Sequence, residues 1–309
     1  MGEAQDFKLE SWMRDLPEQL KDMPLIYLAI PGSHDSMTYG ITRSSGLAPD
    51  AEPILHRLYP LFRGTILRWT ITQALDTWQQ LLIGIRYLDL RLATKQNTED
   101  FYFTHGLYAE EISKALNQVK DFVDSHPEEV VILDLQHFYG FTPADHQRLM
   151  RFLLNLYGPK LVPRHLDLRD VTLNSLTRLR QQVSAYERHP IPNSIEFWQP
   201  QMLPSPWPQQ DRAEGLLRYL ENIRRHPGTG FVHQAVLTPT GLYNGLRSWR
   251  SWVRIPARAN VCVMSTNVCS WVLDVFYVFK YYNLSIYYVY RRLVPIVQAL
   301  LSLGLGRFV

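Results

Sequence analysis

The chain has 309 residues, 46% of them hydrophobic and 20% charged, with a formal net charge of +3. That length and apolar content supply a sizeable core and fit one large barrel or two smaller domains. The small net charge, with no sustained lysine/arginine stripe interleaved with aromatics, excludes nucleic acid as the expected partner. The opening stretch "MGEAQDFKLESWMRDLPEQL" carries charges throughout and has no apolar h-region, so residues 1–22 read as a lead-in rather than a secretory signal, and a cytoplasmic chain is expected. Asp6 stands where a myristoylation signal after Gly2 wants Ser or Thr. Cys262 and Cys269 lie outside any C-x-x-C spacing and read as buried thiols, not as a zinc site or a disulfide scaffold.

Seven short apolar runs bounded by turn-forming residues predict strands: "LIYLAI" from Leu25, "IRYLDLRLA" from Ile85, "FYFTH" from Phe101, "EVVILDLQHF" from Glu129, "QQVSAY" from Gln181, "GFVHQAVL" from Gly230 and "ANVCVM" from Ala259. Between them lie helical patterns. Ile112, Ala115, Leu116, Val119, Phe122 and Val123 recur at helical spacing with polar residues opposite. A second helix runs from Thr142 as N-cap through Pro143 to Tyr157, with Leu149, Phe152, Leu153 and Leu156 as its apolar stripe. Strands alternating with helices predict an α/β fold with a mainly parallel sheet, best met by a single closed or nearly closed TIM-type (β/α) barrel. A doubly wound open sheet is the alternative, but no glycine-rich phosphate turn supports it. The stretch from Pro192 to Gln210 is broken by prolines and is expected to be a long loop carrying Trp198 and Trp207 over the barrel mouth.

A barrel of this kind keeps its chemistry at the C-terminal ends of its strands. There the sequence puts His34 and Asp35, then Asp89 and Arg91 on one face of a strand by their two-residue spacing, then His105, then Asp134 and Gln136. His137 is expected to point the other way or to lie in the loop. Two histidines, an arginine and carboxylates, with no serine or cysteine in a nucleophile setting, suit acid–base phosphoryl transfer. One imidazole takes a proton from the attacking hydroxyl, the other gives one to the leaving oxygen, and the guanidinium fork clamps phosphate. Taken singly, each has a structural reading: a strand-end histidine is commonly structural, and an Asp-x-Arg pair is commonly a buried ion pair.

The ordered set "IPGSHDS", "TQALDTWQQLLIGIRYLDLRLA", "FYFTHGLYA", "HPEEVVILDLQHFYG", "EFWQPQMLPSPWP" and "FVHQAVLTP" resembles the catalytic X region of phosphatidylinositol-specific phospholipase C, and more closely the PI-PLC X domain-containing proteins, over roughly residues 10 to 260. The resemblance implies a phosphoric diester hydrolase that cleaves phosphatidylinositol to diacylglycerol and a cyclic inositol phosphate, which water can then open. By position it implies His34 as general base and His105 as general acid, Arg91 bracing the phosphate, and Asp35 and Asp89 orienting Arg91 and supplying charge. Gln136, Arg188 and Trp198 are the expected substrate contacts. Calcium-dependent relatives carry a carboxylate where Arg91 stands and Asn where Asp35 stands, so the metal-independent type is implied, with no metal and no cofactor. The expected partner is phosphatidylinositol or a related phospholipid at a membrane surface, met by peripheral association.

The resemblance places the catalytic barrel at 23–267 and leaves 268–309 as a divergent hydrophobic segment that closes the barrel or contacts membrane. Relatives follow the last strand with an aspartate that holds the base histidine; here Ser265, Thr266 and Asn267 occupy that stretch, and no carboxylate comes before Asp274. A weakened enzyme is therefore expected. Lys280 and the Arg291–Arg292 pair cut the tail's apolar runs below the roughly 20 residues of a spanning helix. Two other functions compete: a glycerophosphodiester phosphodiesterase, disfavoured by Arg91 because that chemistry wants a carboxylate cluster around a divalent metal, and a phosphoinositide-binding scaffold that has lost turnover.

Overall fold

The computed structural model describes residues 8–164, 167–188, 194–238 and, as backbone, 261–264. Ser265, Thr266, Asn267, Cys269, Asp274 and the whole segment 268–309 lie outside the described residues. In chain order the elements are α1 (Glu18–Lys21), β1 (Ile30–Ser33), α2 (Pro53–Thr70), α3 (Thr77–Leu82), β2 (Tyr87–Thr94), β3 (Phe101–Thr104), β4 (Tyr108–Glu111), α4 (Ile112–Ser125), β5 (Val131–Tyr139), α5 (Pro143–Tyr157), α6 (Leu173–Arg178), β6 (Val183–Glu187), β7 (Phe197–Trp198), α7 (Ala213–Asn222), β8 (Val232–Ala235) and β9 (Val261–Met264).

The period-two alternation of the strands sorts their side chains into two layers. Leu88, Leu90 and Leu92 of β2, Val131, Leu133 and Leu135 of β5, and Val183 and Ala185 of β6 share one core with the apolar stripes of α4 and α5. Tyr87, Ile132 and Tyr186 face the other way and join Ile30, Val232 and Trp198 in a second core. Asp89 and Arg91 continue the face of Tyr87, and Asp134 that of Ile132. The second layer is thus apolar at one end of the strands and charged at the other, so the fold concentrates polar groups at the strand C-termini.

The α/β sheet is mixed. β1, β2, β5, β6 and β7 run parallel, with Asp89 opposite Asp134 and Asp134 opposite Tyr186. The excursion β3–β4 adds antiparallel to β2. β9 lies antiparallel between β1 and β8, against the mainly parallel expectation. An antiparallel neighbour needs no crossover helix, and the link 239–260 between β8 and β9 lies outside the described residues.

Both expected helices form as read: Thr142 caps α5 with a reciprocal Asp145 contact, and the six apolar positions of α4 are all buried. Two segments differ from expectation. Leu25–Tyr27, taken as strand, forms a 3-10 turn, and the strand begins only at Ile30. The expected loop 192–210 contains β7, because Phe197 and Trp198 fall in a stretch free of proline and can complete the edge of β6. The 18-residue α2, with Pro60 inside it and a break in helical geometry at Phe62, has a largely exposed surface and so little apolar periodicity to betray it. Among the described residues, no helix is long and apolar enough to cross a membrane.

Candidate active site

Consecutive side chains of an extended strand point to opposite faces, so His34 and Asp35 can share a pocket only if the chain turns between them. It does. Asp35 adopts a left-handed backbone, φ +46°, a conformation that short acidic side chains tolerate better than most. The turn is tied down: Ser36 N–H donates to the Asp89 carbonyl (2.9 Å), Gln73 Nε2 to the His34 carbonyl (2.8 Å), and the Thr38 hydroxyl to the Asp35 carbonyl (3.0 Å). His34 and Asp35 end 4% and 2% exposed.

Around this turn the charges interlock. His34 Nδ1 donates to Asp89 Oδ2 at 2.7 Å; a carboxylate acceptor requires the hydrogen on Nδ1, so Nε2 is the nitrogen that can take up or release a proton. Nε2 lies 3.0 Å from Asp35 Oδ2, and His105 Nε2 lies 3.4 Å from the same oxygen. Arg91 Nε pairs with Asp35 Oδ1. These are ion-pair contacts rather than aligned hydrogen bonds: both Asp35 oxygens and Arg91 Nε are buried without an aligned partner among the described residues. Burial raises the Asp35 pKa, but the charges on His34, His105 and Arg91 outweigh it and hold the carboxyl well below its ordinary range. Burial works against the Arg91 charge in the same way, and Asp35 and Asp89 reverse it.

His105 sits just past the end of β3, in the turn to β4, rather than at the end of a strand of the parallel set. Its Nδ1 donates to the carbonyl of Thr70, the last residue of α2, at 2.9 Å. Thus Nδ1 again carries hydrogen, and Nε2 faces Asp35. Asp89, expected to orient Arg91, instead makes its hydrogen bond to His34. Asp35 is the carboxylate in direct contact with the guanidinium.

The three expected substrate contacts are placed differently. Trp198 is 1% exposed, packs against Tyr186 and donates its indole N–H to the Val162 carbonyl at 2.9 Å, so it lies in the second core and not over the mouth. The reason is β7: pairing with β6 draws this ring under the sheet. Trp207, from the same proline-rich stretch, reaches the site and lies against His34 with ring centroids 5.1 Å apart. Arg188 forks onto Asp134 (3.0 and 2.6 Å) and also donates to the Leu203 carbonyl at 3.0 Å. Gln136 and Tyr87 donate to Asp134 as well, at 2.7 and 2.8 Å. Burial pushes the Asp134 carboxyl up, and Arg188 opposes it.

His137 corrects the strand parity. A register shift between Leu90 and Arg91 makes Arg91 pair with His137 instead of Gln136. The bulge turns His137 and Tyr139 toward the face of Arg91. Partial burial and the Arg91 guanidinium hold the His137 imidazole below its ordinary value. No single-sequence signal marks a bulge of this kind. His34, Asp35 and Asp89 each offer an atom within 4.8 Å of one another, a spacing a divalent cation can use. Arg91 already occupies the Asp35 side of that set.

The signature described as "Phosphatidylinositol-specific phospholipase C, X domain" matches residues 68–185. PI-PLC X domain-containing protein 3 of Homo sapiens is 35% identical over 82% of this chain and 83% of its own length. The chain belongs to the PI-PLC X domain-containing proteins. Protein 2 of Mus musculus is 34% identical over 80% of this chain and 76% of its own. Among solved structures, the phosphatidylinositol-specific phospholipase C from Listeria monocytogenes superposes with a TM-score of 0.52 at 20% identity, covering 80% of this chain and 89% of that one. A mutant of the Staphylococcus aureus enzyme gives 0.52 at 15% identity, covering 80% and 83%. At these identities the likeness is one of fold.

Proposed function

We propose that this family member is a metal-independent phosphoric diester hydrolase that cleaves phosphatidylinositol. The observation that carries the reading is the convergence of two imidazole Nε2 atoms, each with its Nδ1 hydrogen committed elsewhere, on one buried Asp35 oxygen next to Arg91. His34 Nε2 removes the proton of the inositol 2-hydroxyl, and that oxygen bonds to phosphorus. The bond from phosphorus to the diacylglycerol oxygen breaks, and His105, protonated on Nε2, hands its proton to that oxygen. His34 leaves the step as an imidazolium balanced by Asp89, and His105 leaves it neutral. Water opens the cyclic phosphate with the two roles exchanged. Arg91 offsets the charge that grows on the non-bridging oxygens, the work a calcium ion does in other phospholipases of this kind.

The reading includes a sheet that closes as a barrel. The segment after β7 supports this by lying along β8: Gly230 N–H donates to the Met202 carbonyl and Val232 N–H to the Pro204 carbonyl, both at 2.9 Å. It also includes peripheral membrane association in the cytoplasm. Leu58, Leu61 and Phe62 of α2 are 37, 79 and 49% exposed, beside exposed Arg57, Arg63 and Arg68, a mixture suited to an anionic lipid surface.

Release of water-soluble inositol phosphate from phosphatidylinositol vesicles, with and without a chelator, tests the proposal. Turnover unaffected by chelation and abolished by His34→Ala and His105→Ala is expected. Vesicle binding with no turnover would replace it by the scaffold reading, and a strict calcium requirement would overturn the role given to Arg91.

A further inference from the structure

We propose that Asp50 is the positioning residue for the acid histidine, an inference that rests on the reaction stated above. Asp50 stands two residues before Glu52, the N-cap of α2, where an acidic side chain ordinarily serves the helix it precedes. Its carboxylate instead reaches across to the turn between β3 and β4. Asp50 Oδ1 accepts from the Thr104 hydroxyl at 2.6 Å, and Oδ2 accepts from the Gly106 N–H at 2.7 Å. Those donors belong to the residues on either side of His105.

The rest of the segment reinforces the clamp through backbone alone. Tyr108 N–H donates to the Gly46 carbonyl at 3.0 Å, and Ala48 N–H donates to the Gly106 carbonyl at 3.1 Å. Gly106 itself adopts φ +70°, so the turn reverses within one residue and relies on outside partners for its amide. The Thr70 carbonyl then fixes the ring through Nδ1. One stretch of chain, from Gly46 to the end of α2, therefore sets both the backbone and the ring orientation of His105, with Asp50 supplying the two side-chain contacts. Its charge also acts toward the site, raising the pKa of Arg91 and of Tyr139, though in each case burial is the larger influence.

A residue that aims the acid matters only where the leaving oxygen needs a proton. The test compares phosphatidylinositol with an aryl ester of inositol phosphate whose phenolate departs unprotonated. Asp50→Ala should lower kcat on the lipid about 10²-fold, the cost of misplacing a catalytic group by ~1 Å, with KM held within about twofold and the aryl ester losing less than about threefold. Thr104→Val, which removes one of the two contacts, should show the same split at about tenfold, and it stands in if the alanine variant does not fold. Equal losses on both substrates, or no loss on either, would overturn the proposal. The clamp is also read without turnover. In histidine-labelled protein, the Nδ1–H form of His105 should be resolved in the parent and averaged in Asp50→Ala; an unchanged spectrum overturns the clamp. A parent that turns over neither substrate refutes the proposed function alone.

Discussion

Replacing Asp89 by asparagine tests the base. The substitution keeps the size of a side chain that is 1% exposed and removes only the charge facing His34 Nδ1 at 2.7 Å. Two routes give the magnitude. A carboxylate about 4 Å from the imidazolium charge is worth about 4 kcal/mol at the effective dielectric that suits protein sites. The same change in a comparable aspartate–histidine pair costs about 10⁴ in turnover, through loss of charge and selection of the wrong tautomer. At about 1.4 kcal/mol per tenfold, 4 kcal/mol is about 10³, so a loss of 10³ to 10⁴ is expected. The assay is inositol phosphate release, with melting temperature as a control for folding. Turnover above about a third of the parent's, in a folded variant, would refute the reasoning. Asp274→Asn should then be the damaging change instead, since Asp274 is the first carboxylate after the last strand.

Arg91→Lys should lose most of its turnover and Arg91→Ala more, with chelation harmless to the parent, because an ammonium cannot reproduce the planar two-pronged contact. Arg188→Met strands the buried Asp134 without its partner and should destabilise the fold by about 3–5 kcal/mol, read as a lower denaturant midpoint; an unchanged midpoint would show that Tyr87 and Gln136 suffice. The His137 imidazole should titrate below about 6.5 in an NMR pH series, and its midpoint should rise in Arg91→Met once the opposing charge is gone. Because its folded pKa is lowered, His137 weakens the fold as pH falls below its unfolded value of about 6.5, so His137→Gln should lose less melting temperature than the parent between pH 7 and 5. Leu61→Asp together with Phe62→Ser should reduce binding to phosphatidylinositol vesicles while leaving cleavage of a soluble inositol phosphodiester near the parent's rate; equal loss on both substrates would place the fault in folding.

Local order was legible in the chain because it depends on spacing within a few residues. The stripe of α4, the Thr142–Pro143 start of α5 and the shared face of Asp89 and Arg91 all follow from periods of 3.6 and 2. The five residues singled out from the motifs, His34, Asp35, Asp89, Arg91 and His105, lie together in one charged cluster. Who holds whom was decided by the tertiary structure. The left-handed turn at Asp35 places that carboxylate against the His34 and His105 imidazoles and the Arg91 guanidinium, and it leaves Asp89 to His34. The bulge opposite Arg91 reverses the parity of β5 and brings in His137; pairing of β7 with β6 takes Trp198 into the core and leaves Trp207 at the site. Asp50 and Thr70 bear on His105 from 55 and 35 residues away. Contacts of that separation leave no period in the sequence, because they are made by loop closure and packing rather than by the repeat of a helix or a strand.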